Sequence, residues 1–368
     1  MKVKKDYKHF YSSEIFILTC LGLFILFMQS CRNKDSSEAL SSFNTIEIRK
    51  DFLLGDSPEL QIEILDTINL EAKGNPAITT VQDIAFSQHF FLLLDRVQGL
   101  LKFDNNGSFL QKIGKKGEGP EEYFMPFSIH LDEKENVVLV ADWEKRTVIS
   151  YDFEGNFISS SRRLPGHPIS FYKENDTVLA VQETFNGTKE KQVLISSIDP
   201  KTLEVKHQEK PLYRYHSNYT IIHSIPRILS RINNTTLFYM SIIRGDISSY
   251  ANTDTIFSIK EDYLVPEYLL HLSGFDNTLQ LGISQVVMSD KIAFVRVVYD
   301  HRSYFVVIDL ENNRPLVHLR QLFDQEMTDE MIPKPLDGDV FYSILRDHDS
   351  FTEINPQIIV YLLPSIEN

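Results

Sequence analysis

Three histidines are the side chains of this sequence that are best suited to metal chemistry. His130, His167 and His223 lie in the segments FSIHLDE, GHPISF and IIHSIP, near the start or the middle of three short β-like runs. Three imidazoles brought close together could bind a divalent metal. His130 is flanked by two large apolar residues, and a role in the core or in a loop explains each histidine without a metal. We expect no metal, no cofactor and no catalytic residue, and these histidines are the candidates that would change this expectation.

Other sequence patterns that carry catalytic chemistry do not occur. The chain has no GxSxG nucleophile motif and no HExxH metalloprotease motif, and its two cysteines, Cys20 and Cys31, both precede the β-like runs. Most acidic residues occur in turn sequences such as DEKEN and DFEGN, where carboxylates are ordinarily solvated. Trp143 follows Asp142 in a loop, from which an indole could stack on a sugar ring, although packing is the commoner role of tryptophan.

The net charge restricts the partners of the protein. The chain has 37 Lys and Arg residues against 51 Asp and Glu residues, which gives a formal charge of −14. A nucleic-acid groove needs a surplus of basic residues on at least one face. The only basic cluster in the sequence lies within its first ten residues. We therefore expect no nucleic-acid partner.

The N-terminal segment has the form of a secretory signal. Four lysines precede an apolar run over residues 15–28, which is shorter than the roughly 18 apolar residues of a membrane span. The sequence FMQSC that follows resembles a bacterial lipobox, in which a small residue precedes the cysteine that receives a lipid. We interpret residues 1–30 as a lipoprotein signal peptide, Cys31 as the lipid attachment site and residues 31–44 as a polar tether. The alternative is an uncleaved N-terminal anchor helix.

The region after the tether contains a sequence repeat. The segments LLLDRVQGLLKFDNNGSFLQKIG and LVADWEKRTVISYDFEGNFISSS align so that Asp95 matches Asp142 and Gly107 matches Gly155, at offsets of 47 and 48 residues. A weaker third copy, KQVLISSIDPKTLEV, follows at the same spacing. Each copy alternates runs rich in Val, Ile and aromatic residues with turn sequences such as DNNG and FEGN. This pattern is typical of the four antiparallel strands of a propeller blade.

Counting these units predicts the architecture. We place five of them at residues 77–114, 124–165, 166–212, 213–272 and 275–325. Strand-like segments also remain at both ends of the chain, and joined together they would form a sixth blade that leaves no open edge in the ring. The sequence thus predicts an all-β domain over residues 45–368. Its fold is a six-bladed β-propeller of four-stranded antiparallel blades, in which the strand over residues 61–70 closes the last blade against the C-terminal strands. A seven-bladed ring and a pair of β-sandwiches are the alternatives.

The connector IGKKGEGPEEYFMP between the first two units carries a family signature. Its glycines permit sharp turns and its prolines restrict a long link. With the following VVLVADWEKRTVISYDFEGNFI, it resembles the six-bladed β-propeller lipoproteins of anaerobic gut bacteria, which are related to NHL-repeat propellers. The G-x-G-P-x-E-Y connector of that family reads here as Gly117, Gly119, Pro120, Glu122 and Tyr123. A later N-D-T-I-Y-x-I motif of the family is matched by NTDTIFSI, with phenylalanine in place of tyrosine.

The resemblance implies a fold and an envelope location, and it implies no activity. The triplets that begin at Asp66, Asp176 and Asp254 also resemble the Asp-Thr-apolar sequence that receives O-linked glycans in such bacteria. Asp and Thr at these positions have a second explanation, since both residues shape the entry into strands.

Two functions from different classes follow. The first is a lipoprotein of the cell envelope, exported and attached by its lipid to a membrane at the periplasmic or outer-membrane face. Its propeller would be a non-catalytic binding or scaffold module for an unknown protein or carbohydrate ligand, with a link to nutrient uptake. The alternative is a propeller-channel enzyme, such as the metal-dependent lyases and lactonases among related NHL-type propellers, or a glycan-active hydrolase. A channel in which three carboxylates or imidazoles converge would favour the enzyme, and a channel with scattered polar groups would favour binding.

Overall fold

The computed structural model describes most of the chain after residue 43. The described residues are 44–58, 60–71, 77–174, 176–184, 190–207, 211–216, 228–232, 235–240, 253–260, 263–276, 281–289, 291–328, 330–346 and 355–363. Residues Asn44–Asn368 form one compact unit. Within its described part, no helix has the length and hydropathy needed to cross a membrane.

Six of the sheets in the described part of the chain have four or five strands, and they are the blades of the propeller. The chain enters the unit through β1 (Asn44–Arg49), the short helix α1 (Lys50–Leu54) and β2 (Glu63–Asn69). Blade 1 contains β3 (Val81–Phe86), β4 (Phe90–Asp95), β5 (Gly99–Asp104) and β6 (Phe109–Lys112). Blade 2 contains β7 (Pro126–Asp132), β8 (Val137–Asp142), β9 (Thr147–Asp152) and β10 (Phe157–Ser160). Blade 3 contains β11 (His167–Glu174), β12 (Thr177–Thr184), β13 (Glu190–Ile198), β14 (Val205–His207) and β15 (Tyr213–His216).

The second half of the ring follows the same plan. Blade 4 contains β16 (Leu229–Ile232), β17 (Thr235–Phe238), β18 (Thr253–Lys260) and β19 (Tyr263–Ser273). Blade 5 contains β20 (Leu281–Met288), β21 (Ile292–Tyr299), β22 (Arg302–Asp309) and β23 (Arg314–Leu319). A small hairpin of β24 (Gln321–Leu322) and β25 (Gln325–Glu326) follows. Blade 6 contains β26 (Lys334–Asp337), β27 (Val340–Leu345), β28 (Gln357–Leu362) and β2.

The first strand of each blade, here called its inner strand, lies at one end of its sheet. The inner strands are β3, β7, β11, β16, β20 and β26. Residues from all six line a single cavity, so the six sheets surround a common channel. This arrangement confirms the six-bladed propeller that the repeat predicts.

Blade 6 contains both ends of the unit, as the sequence predicts. β2 pairs antiparallel with β28, from Glu63 opposite Leu362 to Asn69 opposite Gln357. The N-terminal segment therefore supplies the outer strand of a blade whose other three strands come from the C-terminus. This pairing closes the ring.

The apolar second strands explain how neighbouring blades pack. β4 and β8 are buried at every position, and their sequences FFLLLD and VVLVAD are continuous apolar runs, as expected of strands that are covered on both faces. Leu92 and Leu94 of β4 lie in one apolar cluster with Val138 and Val140 of β8. The core of the ring is thus a series of layers between blades.

Two strand pairings differ from the predicted units. β15 belongs to blade 3, where it pairs with residues 190–193 of β13, so the predicted boundary at residue 213 is wrong. β13 has nine residues and β14 has three, so β14 pairs with only one end of β13. β15 pairs with the other end. In addition, β1 pairs in parallel with β19 and gives blade 4 a fifth strand.

The connector between blades 1 and 2 folds around Tyr123. The buried Tyr123 hydroxyl accepts a hydrogen bond from the Leu100 N–H at 3.0 Å and donates one to the Ile113 carbonyl at 3.1 Å. Gly114 has a φ of +63°, and a Cβ at this position would lie 2.5 Å from the Tyr151 ring. Lys145 Nζ donates to two carbonyls of the connector, each at 2.6 Å. The G-x-G-P-x-E-Y signature is therefore explained by local folding.

Candidate functional site

The central channel contains a cavity of 440 Å³, which lies in the range of about 300–1,000 Å³ typical of small-molecule sites. Its wall is formed by the inner strands and by the residues that immediately follow two of them. Aromatic and aliphatic side chains, including Phe86, Phe171 and Leu336, alternate with serines and with few charged groups. This cavity is the candidate functional site.

Asp83 connects blade 1 to blade 2 at the wall of the cavity. The side chain is 7% exposed, and its Oδ2 accepts hydrogen bonds from the Ser128 hydroxyl and from the Ile129 N–H, both at 3.0 Å. Ile129 lies on the inner strand β7, and its N–H points away from β8, the strand that pairs with β7. The carboxylate thus satisfies a backbone donor that no strand in the blade can reach.

Lys173 connects blade 3 to blade 2. Its Nζ lies 3.0 Å from Oδ2 of Asp132, whose side chain is 3% exposed. Burial would raise the pKa of Asp132, but the hydrogen bonds from Lys173 and from the Glu135 N–H outweigh it and hold the pKa below its ordinary value. Asp132 is therefore ionised at neutral pH, and the pair carries no net charge.

His130 lies beside this ion pair on β7. Its ring packs edge-on against Phe171, with 6.4 Å between the ring centroids. Burial, reinforced by the positive charge of Lys173, lowers the pKa of His130 to about 4, while Asp132 acts in the opposite direction. The imidazole is consequently neutral at physiological pH.

Polar contacts also join other pairs of blades around the channel. The Thr236 hydroxyl of blade 4 donates to Glu174 of blade 3 at 3.4 Å. The Ser230 hydroxyl donates to the Met288 carbonyl of blade 5 at 2.9 Å. Nearly all the charged and hydroxyl groups described at the channel therefore have partners in an adjacent blade or in their own turn.

The structure places two of the three candidate histidines apart. His167 stacks on Trp143 with 4.2 Å between the ring centroids, and its Nδ1 lies 2.8 Å from the Trp143 carbonyl oxygen. Phe171, the neighbour of His130, is four residues along β11 from His167, which corresponds to about 13 Å of strand. His223 lies outside the described residues. Within the part of the chain that is described, no three His, Cys, Asp or Glu side chains are arranged to hold a metal ion.

Trp143 has the packing role that its residue type favours. Its ring is partly buried against the apolar cluster between blades 2, 3 and 4, in addition to its stacking on His167. Among the Asp-Thr triplets, Asp66 and Asp254 each accept a hydrogen bond from the N–H of the next threonine at 2.8 Å. These contacts explain two of the three triplets as local backbone caps, and glycosylation of the threonines stays a prediction.

The sequence interpretation did not single out Asp83 or Lys173. Each is a charged residue inside a β-like run, VQDIAF and FYKEN, and that break in an apolar pattern was the available signal. Their partners lie 45 and 41 residues away, in neighbouring blades. Local sequence windows therefore could not show that these side chains meet.

Comparisons with known proteins are consistent with this architecture. The family described as "Domain of unknown function (DUF4934)" matches residues 59–354. A crystal structure of a candidate exported protein from Bacteroides fragilis has a TM-score of 0.59 at 15% identity, covering 88% of this chain and 99% of that one. A member of the duf4221 family from Bacteroides vulgatus has a TM-score of 0.54 at 9% identity, covering 82% of this chain and 97% of that one. At these identities the likeness shows a shared fold. A comparison with curated proteins finds no match.

Proposed function

The chain belongs to the DUF4934 family, and on that premise we propose that it is an exported, lipid-anchored β-propeller that acts as a non-catalytic binding or scaffold module. The N-terminal lysines, the short apolar run and Cys31 support export and lipid attachment. The Bacteroides fragilis protein with the same fold is itself a candidate exported protein. The envelope location, the kinship with NHL-type propellers and a link to nutrient uptake are parts of this proposal.

One observation carries the binding function: the charged groups at the channel are engaged in contacts that hold the ring together. Asp83 accepts hydrogen bonds from Ser128 and Ile129, and Lys173 forms an ion pair with Asp132. A catalytic acid–base pair must exchange protons with a substrate. Groups that are already hydrogen-bonded or ion-paired to a neighbouring blade are poorly suited to this exchange. A ligand would instead be held by shape and by neutral hydrogen bonds.

The alternative function, a propeller-channel enzyme, has one feature in its favour. His130 is a neutral imidazole in the wall of a ligand-sized cavity, and a neutral imidazole can act as a general base. A metal-dependent lyase or lactonase would in addition need three or more metal ligands at the channel.

Equilibrium dialysis of the purified protein against a small-molecule extract of cells separates the two functions. Mass spectrometry of both compartments should show one or more compounds enriched with the protein and unchanged in mass. The variant Leu336→Trp, which places a large side chain at the cavity wall, should abolish the enrichment, and Ile158→Trp on the exposed outer strand β10 is the matched control. Depletion of a compound with the appearance of a new product, blocked by Leu336→Trp, would establish the enzyme instead.

Lipid attachment has its own test. Cells given a radioactive or clickable fatty acid should label the wild-type protein, and Cys31→Ala should remove both the label and the association with the membrane fraction. Cys20→Ala, inside the apolar run, is the matched control and should keep both. An unlabelled wild-type protein would contradict the proposed anchor.

A further inference from the structure

We infer that the channel cavity binds a neutral polyhydroxylated molecule, of the size of a monosaccharide or disaccharide. The inference deepens the proposed binding function and rests on it. Four properties of the cavity wall point to this ligand class: its backbone edges, its hydroxyl groups, its charge and its apolar surfaces.

Backbone groups are the first property. Each of the six inner strands ends its sheet, so the edge that faces the channel has no strand partner among the described residues. Such an edge presents N–H donors and C=O acceptors in alternation. Asp83 already uses one of them, the N–H of Ile129. A ligand that fills the channel must therefore offer both donors and acceptors in several directions, which is the property of a hydroxyl group.

The serines of the wall add acceptors. Ser128 donates its hydroxyl hydrogen to Asp83, and Ser230 donates to the Met288 carbonyl. Because each hydrogen is committed within the protein, each serine oxygen retains lone pairs for a donor from the ligand. Hydroxyl groups of a ligand supply such donors.

The charge of the wall argues against an anionic ligand. Among the described residues, the charged side chains that line the cavity are Asp83, which accepts hydrogen bonds from Ser128 and Ile129, and Lys173, whose charge is compensated by Asp132. The imidazole of His130 is neutral. A carboxylate entering the cavity would lose its hydration beside Asp83 without gaining a counter-ion, because Lys173 is already paired with Asp132.

The apolar surfaces fit the carbon faces of a sugar ring. Phe86 of β3, Phe171 of β11 and Leu336 of β26 come from three different blades and line the same cavity. An aromatic ring presents a flat apolar face on which the C–H groups of a sugar ring can pack. The volume of 440 Å³ leaves room for such a molecule and for a few bridging waters.

Saturation-transfer NMR with the compact unit of residues 44–368 tests the inference. The probes are glucose and cellobiose, with glucuronate and glucosamine as charged analogues of similar size. We expect saturation transfer to the neutral sugars and at least about tenfold weaker binding of glucuronate, equivalent to about 1.4 kcal/mol. Leu336→Trp should abolish the signal by filling the cavity, while Ile158→Trp should leave it unchanged.

The outcomes separate this inference from the proposed function. Equal or tighter binding of glucuronate than of glucose, or tighter binding of glucosamine, would overturn the neutral ligand and leave a binding function in place. The same would follow if none of the four probes bound but dialysis retained another compound in a manner sensitive to Leu336→Trp. Sugar binding that persisted in Leu336→Trp, with the variant folded by circular dichroism, would move the site out of the channel and overturn the inference.

Discussion

At the scale of single residues, the buried polar side chains of this protein mainly satisfy backbone groups. Asp142 is fully buried at the end of β8, where it accepts hydrogen bonds from the N–H groups of Phe124 at 2.6 Å and Lys145 at 3.0 Å. Asp95, its counterpart in blade 1, accepts bonds from the N–H groups of four residues, among them Thr79 and Val97. Each carboxylate ties the turn after the second strand to the start of the inner strand.

Replacing Asp142 tests this role. Asp142→Ala leaves at least two partly buried N–H groups without an acceptor, and we expect the free energy of unfolding to fall by about 2–3 kcal/mol. Asp199→Ala is the control, since the exposed Asp199 also accepts two turn N–H bonds that water can replace, at a cost of about 1 kcal/mol. Urea denaturation measures both. Equal losses in the two variants would contradict the proposed role of Asp142.

His130 makes stability depend on pH. Its folded pKa of about 4 lies below the ordinary 6.5, so the unfolded chain binds this proton more readily. The free energy of unfolding should therefore fall as pH drops from 6.5 to about 4, by a total on the order of 3 kcal/mol. The charged groups facing the imidazole are Lys173, which lowers its pKa, and Asp132, which raises it.

The variant His130→Phe keeps a ring of similar size and removes the titration. We expect its loss of stability between pH 7 and pH 4.5 to be clearly smaller than that of the wild type, as measured by denaturant unfolding at each pH. A residual dependence should remain, because the pKa of the buried His318 is also lowered. The exposed His89 offers a control, and His89→Gln should follow the wild type. An identical pH profile for His130→Phe would refute the assignment.

At the scale of elements, the connectors and turns determine how blades follow one another. Gly107 and Gly155, which align in the repeat, both have a φ of +87° in the hairpin between the third and fourth strands. The Gly155 carbonyl accepts a bond from the Gly114 N–H, and the Gly107 carbonyl accepts one from the Glu71 N–H. The same hairpin therefore contacts the end of the preceding blade at two successive interfaces.

Gly114 allows a direct comparison of backbone strain and crowding. Gly114→Ala imposes a side chain at a φ of +63°, with its Cβ 2.5 Å from Tyr151, whereas Gly338→Ala at +54° has no atom within 4 Å of its Cβ. Strain alone costs about 1–2 kcal/mol and overpacking adds about 1–3 kcal/mol. We expect Gly114→Ala to lower the thermal midpoint at least twice as much as Gly338→Ala. Equal shifts in the two variants would show that crowding against Tyr151 adds nothing to the cost of Gly114→Ala.

At the scale of the whole molecule, the N-terminal segment holds three blades together. β1 lies on the edge of blade 4, and β2 completes blade 6. Between them the chain crosses blade 5, where Phe52 packs edge-on against His318 at 5.7 Å and the Ser57 hydroxyl oxygen accepts a bond from the His318 N–H. Closure of the ring thus includes contacts on the outer side of three successive blades.

Truncation tests the closure. Deleting residues 356–368 removes β28, which pairs with both β2 and β27. The loss should exceed the roughly 5–15 kcal/mol that stabilises a typical domain, so we expect no cooperative thermal transition. Deleting only residues 364–368 keeps β28 and should preserve the melt. A cooperative transition at the wild-type temperature in the longer deletion would refute closure through blade 6.

The sequence by itself determined the repeat, the number of blades and the strand that closes the ring. These features depend on local signals: apolar runs of strand length, glycine turns at a fixed spacing, and unpaired strand-like segments at both ends of the chain. Asp95 and Asp142, matched from the repeat alone, occupy equivalent positions at the ends of β4 and β8. The alternation of apolar runs with turns and the residue preferences of tight turns both depend on a few neighbouring residues. A short window of sequence is therefore enough to recognise them.

Only the tertiary structure decided which distant groups meet. The contacts of Asp83 with Ser128 and of Lys173 with Asp132 arise where blades pack side by side, and the separation of His130 from His167 depends on their positions along two inner strands. The addition of β1 to blade 4 likewise depends on a strand edge formed more than 200 residues later. Pairing between blades is set by the twist and closure of the whole ring, which no local pattern encodes.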